Sequence, residues 1–210
     1  MCSSDLGVLR RRPRSDDTRR VRLAPALDTA SFSEAERSVL RLDGEAVSLG
    51  LTVVPIDVPV GPAVRAASLS AAVARHDLVV DLRTAAWVHG VLPALPRPLT
   101  LAVDVSRSRR TKLVVPPPRE ARFREDDLVR LGGVLVTTPL KTAFDLLRLD
   151  DDGAASLDAL AAALLREAGL SPAVAAALAH LQPGCPHKQR GIDRLAALVS
   201  GRPGQPALTR

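Results

Sequence analysis

Alternation between apolar and polar positions divides the chain into short helices and strands. A helix is predicted from Ser33, because Ser33 and Glu36 form a capping-box pair ahead of an apolar run from Val39 to Leu42. The turn residues Asp43-Gly44 are expected to end it. The elements predicted next are strands over 45–49 and 51–58, a helix over 62–76, a strand over 78–80 and a helix over 84–90.

The second half of the chain adds strands and then becomes helical. Residues 99–105 alternate regularly, which predicts a strand followed by a hairpin loop over 106–111 and a return strand over 112–115. Residues 134–137 form another predicted strand, and Thr138 followed by Pro139 predicts the start of a helix. The remaining helices are predicted over 156–168, 171–181 and 189–199.

These elements predict an α/β fold, in which a small mixed β-sheet is packed by helices and followed by a helical C-terminal subdomain. The strands of that sheet are expected at 51–58, 78–81, 99–105, 112–115 and 134–137. The predicted organisation is a disordered basic arm over 1–30, a reduced or truncated helix–strand–strand segment over 31–60, an α/β body over 61–150, a helical subdomain over 151–199 and a tail over 200–210. Residues 1–6 resemble the translated end of a sequencing adapter and are not expected to contribute to the fold.

Charge is unevenly distributed along the chain, which limits the possible partners. The sequence holds 29 basic and 23 acidic residues, a net charge of +6. Residues 1–22 alone hold seven arginines and three aspartates, so the rest of the chain is close to neutral. A body that binds nucleic acid along a broad basic face is therefore not indicated. With three Phe, one Trp and no Tyr, an RNA-binding platform of stacked aromatics is excluded as well.

The sequence is typical of a cytoplasmic protein. No apolar stretch is long enough to cross a membrane, and the arginine-rich start lacks the apolar region of a secretory signal. Two widely separated cysteines do not make a disulfide framework. We expect no membrane partner.

The common signatures of catalysis are missing from the sequence. It contains no G-x-x-x-x-G-K-[ST], G-x-G-x-x-G, G-x-S-x-G or H-E-x-x-H motif, and no Glu-x-Lys pair of the kind that nucleases use. Asp150-Asp151-Asp152 could attract a cation but is better explained as a solvated boundary between helices. His180, Cys185 and His187 are one ligand short of a structural zinc site. We therefore expect a non-enzymatic protein with no metal and no small-molecule cofactor.

Four cations crowd the predicted hairpin tip. Arg107, Arg109, Arg110 and Lys112 are candidate contacts to the phosphates of duplex DNA. A solvated hairpin loop explains the same residues without any ligand. The arginines of the arm between 10 and 22 carry the same two interpretations.

Two segments stand out as motifs with architectural roles. In LRTAAWVHG (82–90), Trp87 is large enough to anchor a small core, and His89 precedes Gly90, which is expected to close the helix. In VLVTTPLKTAFDLLR (134–148), Thr138 is expected to cap a helix on whose polar side Asp145 lies. Lys141 and Asp145 stand at i and i+4, which predicts a modest surface pair.

These two segments, with the weaker RGIDRL at 190–195, resemble the AbiEi-type antitoxins of type IV toxin–antitoxin systems over about residues 45–199. The resemblance implies a non-enzymatic antitoxin and transcriptional regulator that counters a nucleotidyltransferase-like toxin and binds its own promoter. Its partners would be the cognate toxin protein and duplex promoter DNA. One helix and two short strands before Pro59 are too little for the full winged helix of that family.

Two other functions fit the sequence. Some relatives carry an endonuclease-like domain after the third motif, so the chain could be the orphaned recognition domain of such a protein. It could also be a protein-interaction module that makes no DNA contact.

Overall fold

The computed structural model describes residues 32–73, 78–106, 118–149, 154–180 and 185–200, and for residues 154, 155 and 180 it describes the backbone alone. Within these ranges the fold is mixed α/β with a helical C-terminal part, which confirms the predicted class. The strands form one two-stranded sheet and one five-stranded sheet.

The N-terminal helix and hairpin form a unit beside the large sheet. Helix α1 (Glu34–Leu42) begins at the predicted capping box, where the Glu36 N–H donates to Ser33 Oγ at 3.3 Å and the Ser33 N–H donates to Glu36 Oε2 at 2.7 Å. Strands β1 (Ala46–Leu49) and β2 (Thr52–Pro55) pair antiparallel across a turn at Gly50, whose φ is +60°. Assigning 51–58 to the large sheet was wrong, because β2 pairs only with β1 among the described strands and ends at Pro55.

Residues 62–76 do not form the single helix that their pattern predicts. Helix α2 (Pro62–Ala67) and helix α3 (Ser70–Val73) are separated at Ser68 and Leu69. The Ser68 hydroxyl donates to the Arg65 carbonyl at 2.7 Å, and the Leu69 N–H donates to the carbonyl three residues back rather than four. This tightened turn redirects the chain before it enters the sheet.

The large sheet contains two strands that the pattern did not reveal. In spatial order its strands are β5 (Arg119–Ala121), β4 (Leu101–Asp104), β3 (Leu78–Val80), β7 (Val134–Thr137) and β6 (Leu128–Leu131). The central pair β3–β7 and the pair β4–β5 are parallel, whereas β3–β4 and β6–β7 are antiparallel. The predicted return strand 112–115 lies outside the described residues. Among the described strands, β4 lies between β3 and β5.

Two helices start at the same edge of this sheet because they follow its parallel central strands. Helix α4 (Leu82–Val88) follows β3, and helix α5 (Pro139–Arg148) follows β7. The C-terminal part consists of α6 (Ala154–Glu167), α7 (Pro172–His180) and α8 (Lys188–Val199). In the described part of the chain, no single helix has the length and apolarity to cross a membrane. Ser156–Glu167 and Pro172–Ala179 meet that test only as a pair, bent by 101°.

Two apolar clusters fill the fold, and α5 belongs to the helical one. The sheet-side cluster is built around Trp87, which is 2% exposed, as the sequence predicts for a core anchor. The helical cluster includes Phe144 and Leu147 of α5 together with Leu164 of α6 and Leu195 of α8. Since α4 also packs on α5, that helix joins the sheet to the C-terminal helices.

Candidate functional site

A cluster of opposite charges lies at the sheet edge where β3 and β7 end. Asp81 caps α4, its Oδ1 accepting a hydrogen bond of 2.7 Å from the Leu82 N–H. Arg119 begins β5 and reaches across β4 to donate from Nε to Asp81 Oδ2 at 3.0 Å. Its Nη2 also contacts Asp81 and donates to Asp145 Oδ2 in α5 at 3.0 Å. One guanidinium therefore links the end of a strand to the middle of a helix.

Asp145 is the centre of this cluster. Its Oδ1 accepts hydrogen bonds from Lys141 Nζ at 3.1 Å and from Arg148 Nε and Nη2 at 3.1 and 2.6 Å. Asp145 is 1% exposed and Lys141 is 7% exposed, so the predicted surface pair on a polar helix side is wrong. The reason is that α4, α6 and α8 all pack on α5 and bury it from Lys141 to Arg148.

The two carboxylates of the cluster are pushed in opposite directions. Burial is the largest influence on both, and it raises the pKa of Asp81 above its usual value, with the charge of Asp145 adding to the rise against the opposing Arg119. Burial would raise the pKa of Asp145 too, but Lys141, Arg148 and Arg119 outweigh it and hold that pKa below its usual value. On acidification, Asp145 therefore stays ionised to a lower pH than an ordinary aspartate, whereas Asp81 is protonated at a higher pH.

A cavity of about 680 Å³ opens beside the cluster. Its polar wall includes Arg119, Arg122, Lys141 and Arg148, and its far side is formed by residues 185–187. The Arg148 guanidinium donates from Nη1 to the Pro186 carbonyl at 2.6 Å, which ties that far side to α5. The volume is in the range of small-molecule sites.

The suggested zinc ligands do not assemble into a described site. Cys185 and His187 line the cavity, whereas the side chain of His180 lies outside the described part of the chain. Among the described residues, no group of three His, Cys, Asp or Glu side chains is placed to hold a metal ion. Asp150-Asp151-Asp152 also falls outside the described residues.

The first two motifs contact each other directly. His89 is buried at the end of α4, and its Nε2 donates to the Thr137 carbonyl at 2.8 Å, which requires the proton on Nε2 because a carbonyl only accepts. Burial lowers the pKa of His89, although the bond to Thr137 opposes this. Thr138 caps α5 as predicted, its Oγ1 accepting from the Lys141 N–H at 3.4 Å. The Arg65 guanidinium lies 5.3 Å from the centroid of the Trp87 ring.

The third motif packs on the same helix. A Cβ at Gly191 in α8 would lie 2.8 Å from both Arg148 Cγ and Phe144 Cε2, so only glycine fits this close approach. Arg194 donates from Nη1 to the Leu147 carbonyl at 2.9 Å, and its Nε donates to Asp158 at 2.7 Å. Residues 47 and 48 positions apart along the chain thus meet around α5.

The candidate DNA contacts Arg107, Arg109, Arg110 and Lys112 lie outside the described residues, as does the arm over 1–30. Sequence reasoning missed Asp81 and Arg119. Asp81 had a usable signal, since an aspartate between a buried strand and a helix is a common cap. Arg119 had none, because nothing marks it among the 26 arginines of the chain.

Comparison with protein-family models, with curated proteins and with solved structures finds no match to this chain.

Proposed function

We propose that the chain is a non-enzymatic binding protein of the AbiEi antitoxin type, which acts in the cytoplasm to counter a nucleotidyltransferase-like toxin. The observation that supports this is the meeting of the three motif segments around α5. His89 of the first segment bonds Thr137 of the second, and Gly191 of the third fits against Phe144. The three segments that resemble the AbiEi-type antitoxins therefore pack together. This is what we expect if they belong to one structural unit of that family.

The pairing of the charged cluster favours a binding role over a catalytic one. Both oxygens of Asp145 accept from cations, and both oxygens of Asp81 accept from Arg119 or from the Leu82 N–H. A carboxylate engaged in this way holds elements together and is poorly placed to take a proton from a substrate. We expect purified protein to show no Mg²⁺-dependent nuclease activity, and DNA cleavage that survives repurification would contradict this.

The surface best suited to a protein partner is the α1–hairpin unit. None of the residues of α1 is buried, and Val39 and Leu42 are exposed on it, Leu42 at 85%. Residues 32–60 carry two arginines and five carboxylates, so the apolar surface lies in an acidic setting. An enzyme that handles nucleotides presents basic surface around its site, which an acidic and apolar partner would complement.

The experiment is co-expression of the full chain with a nucleotidyltransferase-like toxin of the type IV class. The full chain should restore growth and co-purify with the toxin. Leu42→Asp should abolish both effects, whereas Val199→Asp, a matched change at an exposed apolar position of α8, should not. Growth arrest despite well-expressed full chain would contradict the antitoxin function. Equal activity of both variants would place the contact elsewhere.

Promoter binding is a second part of the proposal and rests on different residues. If Arg107, Arg109, Arg110 and Lys112 contact phosphates, replacing all four by Gln should flatten the slope of log K against log salt by about 3–4 units, at about 0.9 per phosphate. The comparison uses duplex DNA from the gene's own promoter and proteins that both lack residues 1–22. The protein that lacks residues 1–22 but keeps the four cations should bind DNA more tightly than the four-site variant. Equal DNA binding by the two proteins would favour the alternative, a protein-interaction module that makes no DNA contact.

A further inference from the structure

Among the described residues, more cations than carboxylates line the cavity beside the charged cluster. The described residues of its lining include four cations, Arg119, Arg122, Lys141 and Arg148, and two carboxylates, Glu120 and Asp145, a net charge of +2 for these six. Asp81 lies behind Arg119 and reduces the sum to +1 when it is ionised. Buried cations normally have a matching anion, because removing charge from water is costly.

Several donors on these cations have no acceptor in the described part of the chain. Lys141 has three N–H donors and one acceptor, Asp145 Oδ1. Arg119 uses Nε and Nη2 on the two aspartates, which leaves Nη1. Arg122 is exposed on the cavity wall and makes no described hydrogen bond or ion pair. Arg119, Arg122 and Lys141, which carry these donors, all line the same cavity.

We propose that this cavity binds a small organic phosphate monoester, with its phosphoryl group held by Lys141, Arg119 and Arg122. A phosphate monoester is an anion with three acceptor oxygens on its phosphoryl group, which matches the three donor groups and the positive charge of the described lining. A carboxylate offers two acceptor oxygens, one fewer than the donor groups. Asp145 fixes the ammonium of Lys141 and the guanidinium of Arg119 in advance, so little side-chain entropy is lost on binding.

The rest of the cavity explains why the ligand is an ester rather than free phosphate. Apolar side chains of Val105, Leu149 and Pro186 form part of its lining, and they offer no partner to an inorganic ion. A volume of about 680 Å³ exceeds what a bare phosphate fills and suits a sugar or a nucleoside. This inference goes beyond the proposed antitoxin function and does not depend on it.

Calorimetric titration of the full chain tests the proposal with AMP, ribose 5-phosphate and inorganic phosphate, and with adenosine and ribose as counterparts that lack the phosphate. At least one ester should bind more tightly than inorganic phosphate, and neither counterpart should bind. Binding of adenosine as tight as that of AMP would overturn the proposal, since the phosphoryl group would then not be recognised. Inorganic phosphate as tight as both esters would overturn the assignment to an ester. No heat from any phosphate at millimolar concentration would overturn the site altogether.

Variants locate the site. Arg122→Gln should weaken ester binding by about tenfold or more, the equivalent of one lost charge-assisted hydrogen bond, without affecting folding. Lys141→Met removes the buried donor while keeping its stem, and circular dichroism checks that it folds. Arg166→Gln, at an exposed arginine of α6 outside the cavity lining, is the matched control. Parental affinity in both Arg122→Gln and Lys141→Met, or equal weakening in Arg166→Gln, would overturn the proposal.

Discussion

Replacing Asp145 by Asn measures how much the charged cluster stabilises the fold. The substitution keeps the shape of the side chain but removes the charge that faces Lys141, Arg148 and Arg119 at 2.6–3.1 Å. Breaking a buried ion pair by removing one partner costs about 3–5 kcal/mol, because the remaining charge stays buried without compensation. Two effects reduce the cost here: one amide oxygen still accepts a hydrogen bond, and Asp81 ionises more readily once its charged neighbour is gone. We expect a loss of about 3 kcal/mol.

Urea unfolding at neutral pH gives the required free energies. The control is Glu34→Gln in α1, which removes an i, i+3 pair with Arg37 of similar length, 2.6 Å, in an exposed position. Exposed pairs contribute little, so this variant should unfold like the parent. If Asp145→Asn costs no more than Glu34→Gln, the cluster is energetically equivalent to a surface pair and the reasoning from burial fails.

Three further outcomes follow from the structure. Burial lowers the pKa of His89 in the folded protein, so the stability that depends on this residue should be complete above about pH 6.5 and fall on acidification by at most about 1.4 kcal/mol per pH unit. His89→Gln should lose this part of the pH dependence below about pH 6.5 in urea titrations, and an unchanged profile would contradict the assignment. Gly191→Ala gains about 1 kcal/mol of helix propensity but loses about 1–3 kcal/mol to the clash with Phe144 and Arg148, so its melting temperature should fall, and a rise would show that these side chains can move. Trp87→Ala should cost about 3–5 kcal/mol, and since Trp87 is the single tryptophan, native fluorescence typical of water-exposed indole would show that its burial is wrong.

Local signals predicted the parts of the fold that depend on neighbouring residues. The cap at Ser33 and the Thr138-Pro139 start of α5 rest on side chains that bond their own first turn, so they are readable from a few positions. The strands at 78–80 and 134–137 are buried apolar runs of the kind that central strands require. The α/β class with a helical end follows from the order of these elements.

The features that the sequence concealed depend on long-range packing. Strand β5 has only three residues, Arg119, Glu120 and Ala121, and it is a strand because β4 offers it an edge. The spacing of Lys141 and Asp145 predicts a pair but says nothing of burial, which comes from helices packed around α5. Arg119 belongs to this cluster because the sheet places it there, 38 positions from Asp81 along the chain.

The distribution of charge implies that a protein partner and promoter DNA would bind different surfaces. Residues 32–60 carry a net charge of −3, which repels phosphates and would weaken DNA binding through α1. The basic candidates are elsewhere in the sequence, at 1–22 and 107–112. Leu42→Asp should therefore affect toxin binding without changing the salt slope of DNA binding, and the four-site loop variant should do the reverse. Two functions that respond to separate variants occupy separate surfaces, whereas loss of both in one variant would mean that toxin and promoter compete for one site.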